Sequence, residues 1–326
     1  MPSRGTRKTA SKVSPLAVAG TSVLPGTSTS FEIPVARLAT GSWLSLPLGI
    51  AHGARPGPIL WLSAAIHGDE VTGVPVIREV MRRLDPERMG GTLIAVPIVN
   101  AFGLVNESRY LPDRRDLNRS FPGSRRGSLA AQIAHQFMTQ VVERCELGID
   151  LHSGSGGRNN LPQIRCDLDD DETRRLAGAF GAPVTLHSRV RDGSLRAAAT
   201  AKGIRVLLYE AGEASRFDSR AIRIGVEGIL RVLKAKGMIA GEARAATPTL
   251  VARKSAWARA PRGGFCQLHT RLGARVEKGQ RLAEVFGALD RDGSALKSPA
   301  EGLVIGLLEA ALVNRGDAVV HVAELE

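Results

Sequence analysis

Residues 59–70 read Ile-Leu-Trp-Leu-Ser-Ala-Ala-Ile-His-Gly-Asp-Glu, and this stretch decides the fold. Its apolar run from Ile59 to Ile66 is bounded by Pro56-Gly57-Pro58 on one side and His67-Gly68 on the other. That is the profile of a strand buried on both faces. From Val71 to Leu84 the apolar residues Val74, Ile77, Val80, Met81 and Leu84 fall three or four apart, which predicts a helix. The same alternation continues outward. Strands are expected at Thr92–Val99, Leu147–Leu151, Val184–Leu186 and Arg205–Tyr209. Helices are expected at Ser128–Cys145, with Ser128 as N-cap, and at Asp170–Phe180, Ser194–Lys202 and Asp218–Lys236. Strand and helix in alternation imply a sheet sandwiched by helices.

The flanks have a different texture. Residues 1–28 are rich in Ser, Thr, Gly and Pro, and Arg4, Arg7, Lys8 and Lys12 all precede the first acid, Glu32; this reads as a disordered basic tail. No helical h-region follows those basic residues, so no signal peptide is expected. Loose alternation from Ser30 to Leu48 predicts two short strands leading into the main fold. After Gly241 no helical stripe persists, and short β-like runs are broken by glycine turns such as Gly263-Gly264, Lys278-Gly279 and Arg315-Gly316-Asp317. We therefore expect an α/β domain over 29–247 and a small all-β domain over 248–326. Within the latter, Gly273–Val285 and Glu309–Val322 look like two copies of one unit, each with a Val, a basic-Gly turn and a returning strand.

Composition limits the function. The chain has 326 residues, 43% hydrophobic and 23% charged, which is ordinary for a globular protein and long enough for about two domains. No apolar run reaches the ~18 residues of a membrane helix. Three scattered cysteines form no CxxC, which argues against a disulfide scaffold and fits a cytoplasmic protein. The net charge of +12 raises nucleic-acid binding, but the basic residues are interleaved with acids beyond the tail and aromatics are only 4%. A surface suited to small anionic substrates accounts for the charge as well.

Four segments concentrate the chemistry. In the first, His67 and Glu70 lie three apart where a buried strand gives way to a helix, so both side chains can face one cation. In Leu147-Gly-Ile-Asp-Leu-His152-Ser-Gly-Ser-Gly-Gly157, His152 follows another buried strand and enters a loop poor in bulky side chains. His67, Glu70 and His152 together make a His₂Glu set, one of the standard catalytic zinc arrangements, with a satisfied structural histidine as the alternative. The third segment, residues 109–123, gathers Arg109, Arg114, Arg115, Asn118 and Arg119, and forks of this kind grip carboxylates when they are not simply solvated. Within it, Asp116 can accept from the free ring nitrogen of a ligating histidine. In the fourth, Glu210 ends an apolar strand, where a carboxylate is costly unless used or paired; beside a zinc-bound water it is the expected general base.

His67-Gly-Asp-Glu70, Asp116-Leu-Asn-Arg-Ser-Phe-Pro-Gly123, Asp150-Leu-His-Ser-Gly154 and Tyr209-Glu-Ala-Gly212, in this order, resemble the succinylglutamate desuccinylase/aspartoacylase family, a branch of the zinc carboxypeptidase fold. The resemblance covers roughly residues 30–326. It implies a three-layer α/β fold, a mixed sheet with helices on both faces, followed by a C-terminal all-β barrel-sandwich domain. It also implies one Zn²⁺ held by His67, Glu70 and His152, with Glu210 as base and Asp116 orienting His67. Arg109, Asn118 and Arg119 would bind substrate or polarise its carbonyl. Arg109 falls mainly to the oxyanion, and Asn118 with Arg119 to the carboxylate. The chain departs from relatives in having only Tyr110 and Tyr209, with no tyrosine in the β region, and in carrying Asp69 where carboxypeptidases have an arginine between the ligands. The β region is also similar to biotinyl/lipoyl-type barrels around residues 296–308. Lys297 precedes Ser-Pro and no Met-Lys-Met appears, so a lid, a wall or an oligomer contact is expected rather than an attached cofactor.

The leading expectation is a zinc-dependent amidohydrolase that deacylates a small anionic N-acyl amino acid or related amide. A carboxypeptidase acting on short peptides is the alternative enzyme, and a basic binding protein with a decayed site is the alternative outside enzymes. No membrane partner is expected, nucleic acid is disfavoured, and a homo-oligomer is compatible with the sequence.

Overall fold

The apolar run at 59–66 supplies the centre of the sheet. The computed structural model describes residues 13–243 and 248–326. The chain opens with a small hairpin of β1 (Leu16–Val18) and β2 (Thr21–Val23), followed by a long one of β3 (Thr27–Arg37) and β4 (Trp43–His52). Alternation then begins with β5 (Arg55–Ala64), α1 (Gly73–Arg83), β6 (Gly90–Val96), α2 (Ala101–Val105) and α3 (Leu129–Gln140). It continues with β7 (Leu147–Gly154), β8 (Arg158–Cys166), α4 (Asp171–Phe180), β9 (Val184–His187), α5 (Leu195–Thr200), β10 (Arg205–Glu213) and α6 (Ser219–Ala235). Only strands follow: β11 (Leu250–Arg259), β12 (Gly264–Leu268), β13 (Arg275–Val276), β14 (Arg281–Phe286), β15 (Ser294–Lys297), β16 (Gly302–Leu308), β17 (Leu312–Val313) and β18 (Ala318–Leu325). No helix among the described residues is long and apolar enough to cross a membrane.

A 12-stranded mixed sheet runs in the order β13-β16-β18-β11-β9-β8-β10-β7-β5-β6-β4-β3. At its centre β5 pairs in parallel with both β6 and β7, and β7 with β10. Strand periodicity sends alternate residues of β5 to opposite faces. Leu60, Leu62 and Ala64 pack under α1, α4 and α6, whereas Trp61 joins the core beneath α3 and α5. Full burial of each such side chain is worth about 1.5–3 kcal/mol, which is why this unbroken run sits centrally rather than at an edge. The cap residues behave as their chemistry requires. Ser128, Asp170, Ser194 and Asp218 accept backbone N–H groups at the starts of α3, α4, α5 and α6.

Four expectations need correction. Residues 13–28, assigned to the disordered tail, are ordered: β1 and β2 turn at Ala19-Gly20, and Val18 and Val23 bury themselves in the core. Two valines on one face outweigh the polar composition around them. Residues 1–12 of that tail, with its four basic side chains, lie outside the described residues. The helix expected over Ser128–Cys145 stops at Gln140, and a 3₁₀ turn covers Val142–Arg144. β8 was not foreseen, because polar and charged residues (Arg158, Asn159, Asn160, Gln163, Arg165) interrupt its alternation. Finally, the expected division into 29–247 and 248–326 is not a division of the sheet. β11 pairs with β9 and β16 pairs with β8, so strands from the two stretches share one set of hydrogen bonds. Residues 244–247, at the expected boundary, are not described.

The internal repeat is visible in the strands. Gly273–Val285 spans β13 and most of β14, and Glu309–Val322 spans β17 and most of β18. Each unit's short strand pairs with a strand outside it, β13 with β16 and β17 with β12. The order β15-β14-β12-β17 in the four-stranded sheet thus mirrors β11-β18-β16-β13 at the end of the large sheet.

Candidate active site

Strand ends converge on one cavity of about 390 Å³. His67 lies just past β5, and a turn closed by Glu70 N donating to His67 O puts Glu70 on the same side before α1 begins. Gly68 is forced between them, because a Cβ there would meet the backbone of Gly103 and Leu104. His152 lies within β7 rather than after it, with Asp150 two residues earlier on the same face. Glu210, inside β10, is the parallel-ladder partner of His152. The sheet register therefore sets the expected base beside the expected ligand.

Glu70 is the hub. Its Oε1 lies 2.7 Å from His67 Nδ1 and its Oε2 lies 2.8 Å from His152 Nδ1; all three residues are buried. The far ring nitrogens also face carboxylates. His67 Nε2 lies 3.2 Å from Asp116 Oδ1, and His152 Nε2 lies 2.8 Å from Asp150 Oδ2. Asp150 is itself fixed by the Ser63 hydroxyl, which donates at 2.7 Å and accepts from the Trp61 indole at 3.3 Å. Burial pulls the His67 pKa down, but the Glu70 charge and the hydrogen bonds of Asp116 and Glu70 outweigh it and raise the value. At His152 burial is likewise outweighed by Asp150 and Glu70, and the pKa rises well above its ordinary value. Burial pushes Glu70 up, but His67 and His152 hold it well below the carboxylate range.

These facts test whether a metal fits. Each imidazole has a carboxylate on both nitrogens, so all four contacts are satisfied only with both rings protonated, or with one cation taking the place of the two inner protons. One ligand atom from each of His67, Glu70 and His152 falls within 4.8 Å of the others. The outer carboxylates fix Nε2–H and leave the Nδ1 lone pairs facing inward, the usual support of a metal-bound histidine. Next to the set the Ser153 hydroxyl, buried at the cavity, has no partner among the described residues. The residues fit a divalent cation with two nitrogen donors and one carboxylate.

The basic segment is placed against this corner. Arg109 donates from Nε and Nη2 to Asp116 Oδ2 (3.2 and 2.9 Å) and from Nη1 to Ser155 Oγ at 2.9 Å, with Glu70 Oε1 3.4 Å away. Asp116 caps a 3₁₀ turn over Leu117–Arg119 by accepting Asn118 N. Asn118 is buried and its Oδ1 accepts from Leu195 N at the start of α5, while its amide lines the cavity. Arg119 also lines the cavity; Arg114 and Arg115 are exposed and do not. Glu210 accepts a hydrogen bond from Asn160 Nδ2 at 2.9 Å and faces Arg165 at 3.7 Å.

Several site residues escaped the sequence reading. Asp150 was signalled by its i−2 spacing from His152 on a strand. Arg158, Asn160, Arg165, Arg191, Arg196 and Trp257 also line the cavity, but they come from the unforeseen β8, the β9–α5 connection, α5 and β11, and no local motif marks them. Among the described residues Arg119, Arg158, Arg191 and Arg196 pair with no carboxylate. Burial, then the charges of Arg119, Arg165 and Arg109, push the Arg191 pKa down. Arg196 is lowered by burial with Arg165 and Arg191 contributing, and its Nη1 is buried without a partner.

The family model for the succinylglutamate desuccinylase/aspartoacylase catalytic domain matches residues 56–236, which contain every metal-set and basic-segment residue described above. The chain belongs to the succinylglutamate desuccinylase/aspartoacylase family. It is 29% identical over 284 residues to the N-alpha-acetyl-L-2,4-diaminobutyric acid deacetylase of Halomonas elongata, covering 82% of this chain and 83% of that protein. Its fold is similar to that of a succinylglutamate desuccinylase/aspartoacylase from Rhodobacter sphaeroides, with a TM-score of 0.82, 28% identity, and 92% and 96% of the two chains covered. It is also similar to the product-bound ectoine utilization protein EutE (DoeB) from Ruegeria pomeroyi, with a TM-score of 0.84, 25% identity, and 97% and 99% covered. Family membership makes the chain a deacylase-type hydrolase of amides, and the fold is that of these relatives.

Proposed function

We propose that this chain is a zinc-dependent deacylase that hydrolyses the amide bond of a small anionic N-acyl amino acid, acting in the cytoplasm. The observation that carries the reading is the buried His67–Glu70–His152 set with Glu210 on the neighbouring strand in register with His152. His67, Glu70 and His152 would hold the metal. Zinc bound there supplies Lewis acidity, polarising the carbonyl and making water nucleophilic near neutral pH.

The remaining work falls to the protein. Glu210 takes the proton of the attacking water and later gives it to the leaving nitrogen, so a C–O and an N–H bond replace the C–N bond and one O–H bond. Asn160 keeps the Glu210 carboxylate aimed. Arg109, clamped by Asp116, donates to the oxygen on which negative charge develops. Asn118 and Arg119 take the substrate carboxylate. Asp116 and Asp150 hold the histidines in their ligating tautomer. The unpaired arginines supply the field that an anionic substrate neutralises, and a 390 Å³ cavity walled by Trp257 and Ala318 suits a small amide rather than a peptide chain. In this reading the C-terminal strands form a barrel-sandwich unit whose role is that wall.

The test is turnover by the zinc-loaded chain on a panel of N-acetyl derivatives of aspartate, glutamate, alanine and 2,4-diaminobutyrate, beside dipeptides. Hydrolysis of the acidic derivatives, abolished by a chelator and restored by Zn²⁺, is expected. Preference for dipeptides would favour a carboxypeptidase, and inactivity on the whole panel would contradict the reading.

A further inference from the structure

One line of residues ties the C-terminal strands to the cavity. Across four neighbouring strands the ladder pairs Asn160 of β8 with Gly306 of β16, Gly306 with His321 of β18, and His321 with Trp257 of β11. The Trp257 and His321 rings stack with centroids 4.4 Å apart and planes within 8°. Gly306 makes room for that stack. A Cβ there would lie 3.2 Å from His321 Cβ and 3.1 Å from Asn160 Oδ1, with the Trp257 ring at 3.6 Å. On the cavity side, the Arg158 guanidinium lies over the indole, 5.7 Å from its centroid.

Arg158 has no other anchor of comparable strength. Among the described residues it pairs with no carboxylate, and its one hydrogen bond, to Ser155 O, is 3.5 Å long. The nearby Glu309 accepts from Asn159 instead. A long side chain of this kind loses much rotamer freedom when fixed, so something must hold it at the wall. The indole face does so by attraction between the cation and the ring quadrupole, without consuming the N–H donors. The histidine behind the indole is buried and kept neutral, its pKa pushed down to about 3 by burial and by Arg165, so it places no second cation against the ring.

We propose that Trp257 is a specificity-determining residue: seated on the Asn160–Gly306–His321 row, it holds the Arg158 guanidinium at the cavity wall for a second, side-chain carboxylate of the substrate. The proposal rests on the anionic-substrate reading above and deepens it, because it places part of the charge selection on the C-terminal strands.

The experiment is steady-state kinetics of the zinc-loaded full chain with N-acetylaspartate, N-acetylglutamate and N-acetylalanine as probes. Trp257→Ala is expected to raise KM for the acidic probes about tenfold, the order a partly buried cation–π contact supports, with kcat little changed. The ratio of KM values between acidic and alanine probes should collapse. Trp257→Phe, which keeps an aromatic face, should recover most of the discrimination. Arg158→Ala should match Trp257→Ala, and the double variant should be no worse than either, as two residues acting as one contact require. Additive effects, or an equal KM rise on N-acetylalanine, would overturn the proposal and mark Trp257 as packing alone. If the wild type turns over the acidic probes and Trp257→Ala does not alter KM, the proposal falls while the functional reading stands. A wild type inert on every N-acyl amino acid sinks both.

Discussion

The two sides of the cavity satisfy their charges in opposite ways. At the His67–Glu70–His152 corner, every ring nitrogen and both Glu70 oxygens have a partner, and the residues are buried. On the other side, Arg119, Arg158, Arg191 and Arg196 crowd together without carboxylates, and Arg196 Nη1 is buried and unpaired. The first arrangement is complete once a cation takes the place of two protons. The second is complete only when an anion arrives, since like charges held close together repel and no carboxylate among the described residues neutralises these four. Chemistry is thus fixed on rigid strand ends, while recognition is left as an unfilled electrostatic demand.

The contrast can be broken most decisively at Glu210, which stands between the two sides. Glu210→Gln should keep zinc and lower kcat by roughly 10²–10⁴-fold, the usual range for a general base. Near wild-type turnover with the metal retained would reassign Glu210 to pairing with Arg165. Arg109 and Arg119 should separate the two sides next. Arg109→Ala is expected to lower kcat by about 10²–10³-fold, as loss of an oxyanion donor does. Arg119→Lys should instead raise KM for carboxylate substrates more than it lowers kcat. The exposed Arg114→Ala should change neither, and interchangeable kinetics for the Arg109 and Arg119 variants would erase the distinction.

Support behind the metal corner should show a smaller effect. Asp150→Asn is expected to weaken zinc binding by about 10–100-fold, the typical cost of losing such a partner, measured by competition with a chromophoric chelator. Unchanged affinity would mean the Ser63–Asp150–His152 line is packing only. The smallest expected effect is a pH dependence on the recognition side. The folded pKa of His321 is pushed down to about 3 from 6.5, so below pH 6.5 the unfolded chain binds the proton more readily. That contribution to stability is complete above about 6.5 and is lost as pH falls toward about 3. Tm should therefore decline more gently with acidification in His321→Gln than in wild type, and parallel declines would contradict the assignment.

How legible these features were from the residues follows from the same physics. Ile59–Ile66 announced a central strand because burial on both faces leaves room for a single small polar residue, Ser63, in an otherwise apolar run. His67, Glu70, His152, Asp116 and Glu210 could be singled out because each stands at a strand end or in a short motif. β8 could not, since its Arg158, Asn160 and Arg165 line a cavity that forms only when β10 and β16 lie on either side of it. Arg158, Arg165 and Trp257 went unseen for that reason. Val18 and Val23 went unseen for a different one: two buried side chains suffice to order a hairpin that is polar by count.

The most direct test of the central claim is the zinc content of the purified chain and of its single-ligand variants. We expect about one zinc per chain in the wild type and almost none in His67→Ala or His152→Ala, since two remaining protein ligands are too few to hold the ion. Full zinc occupancy in both variants would contradict the account.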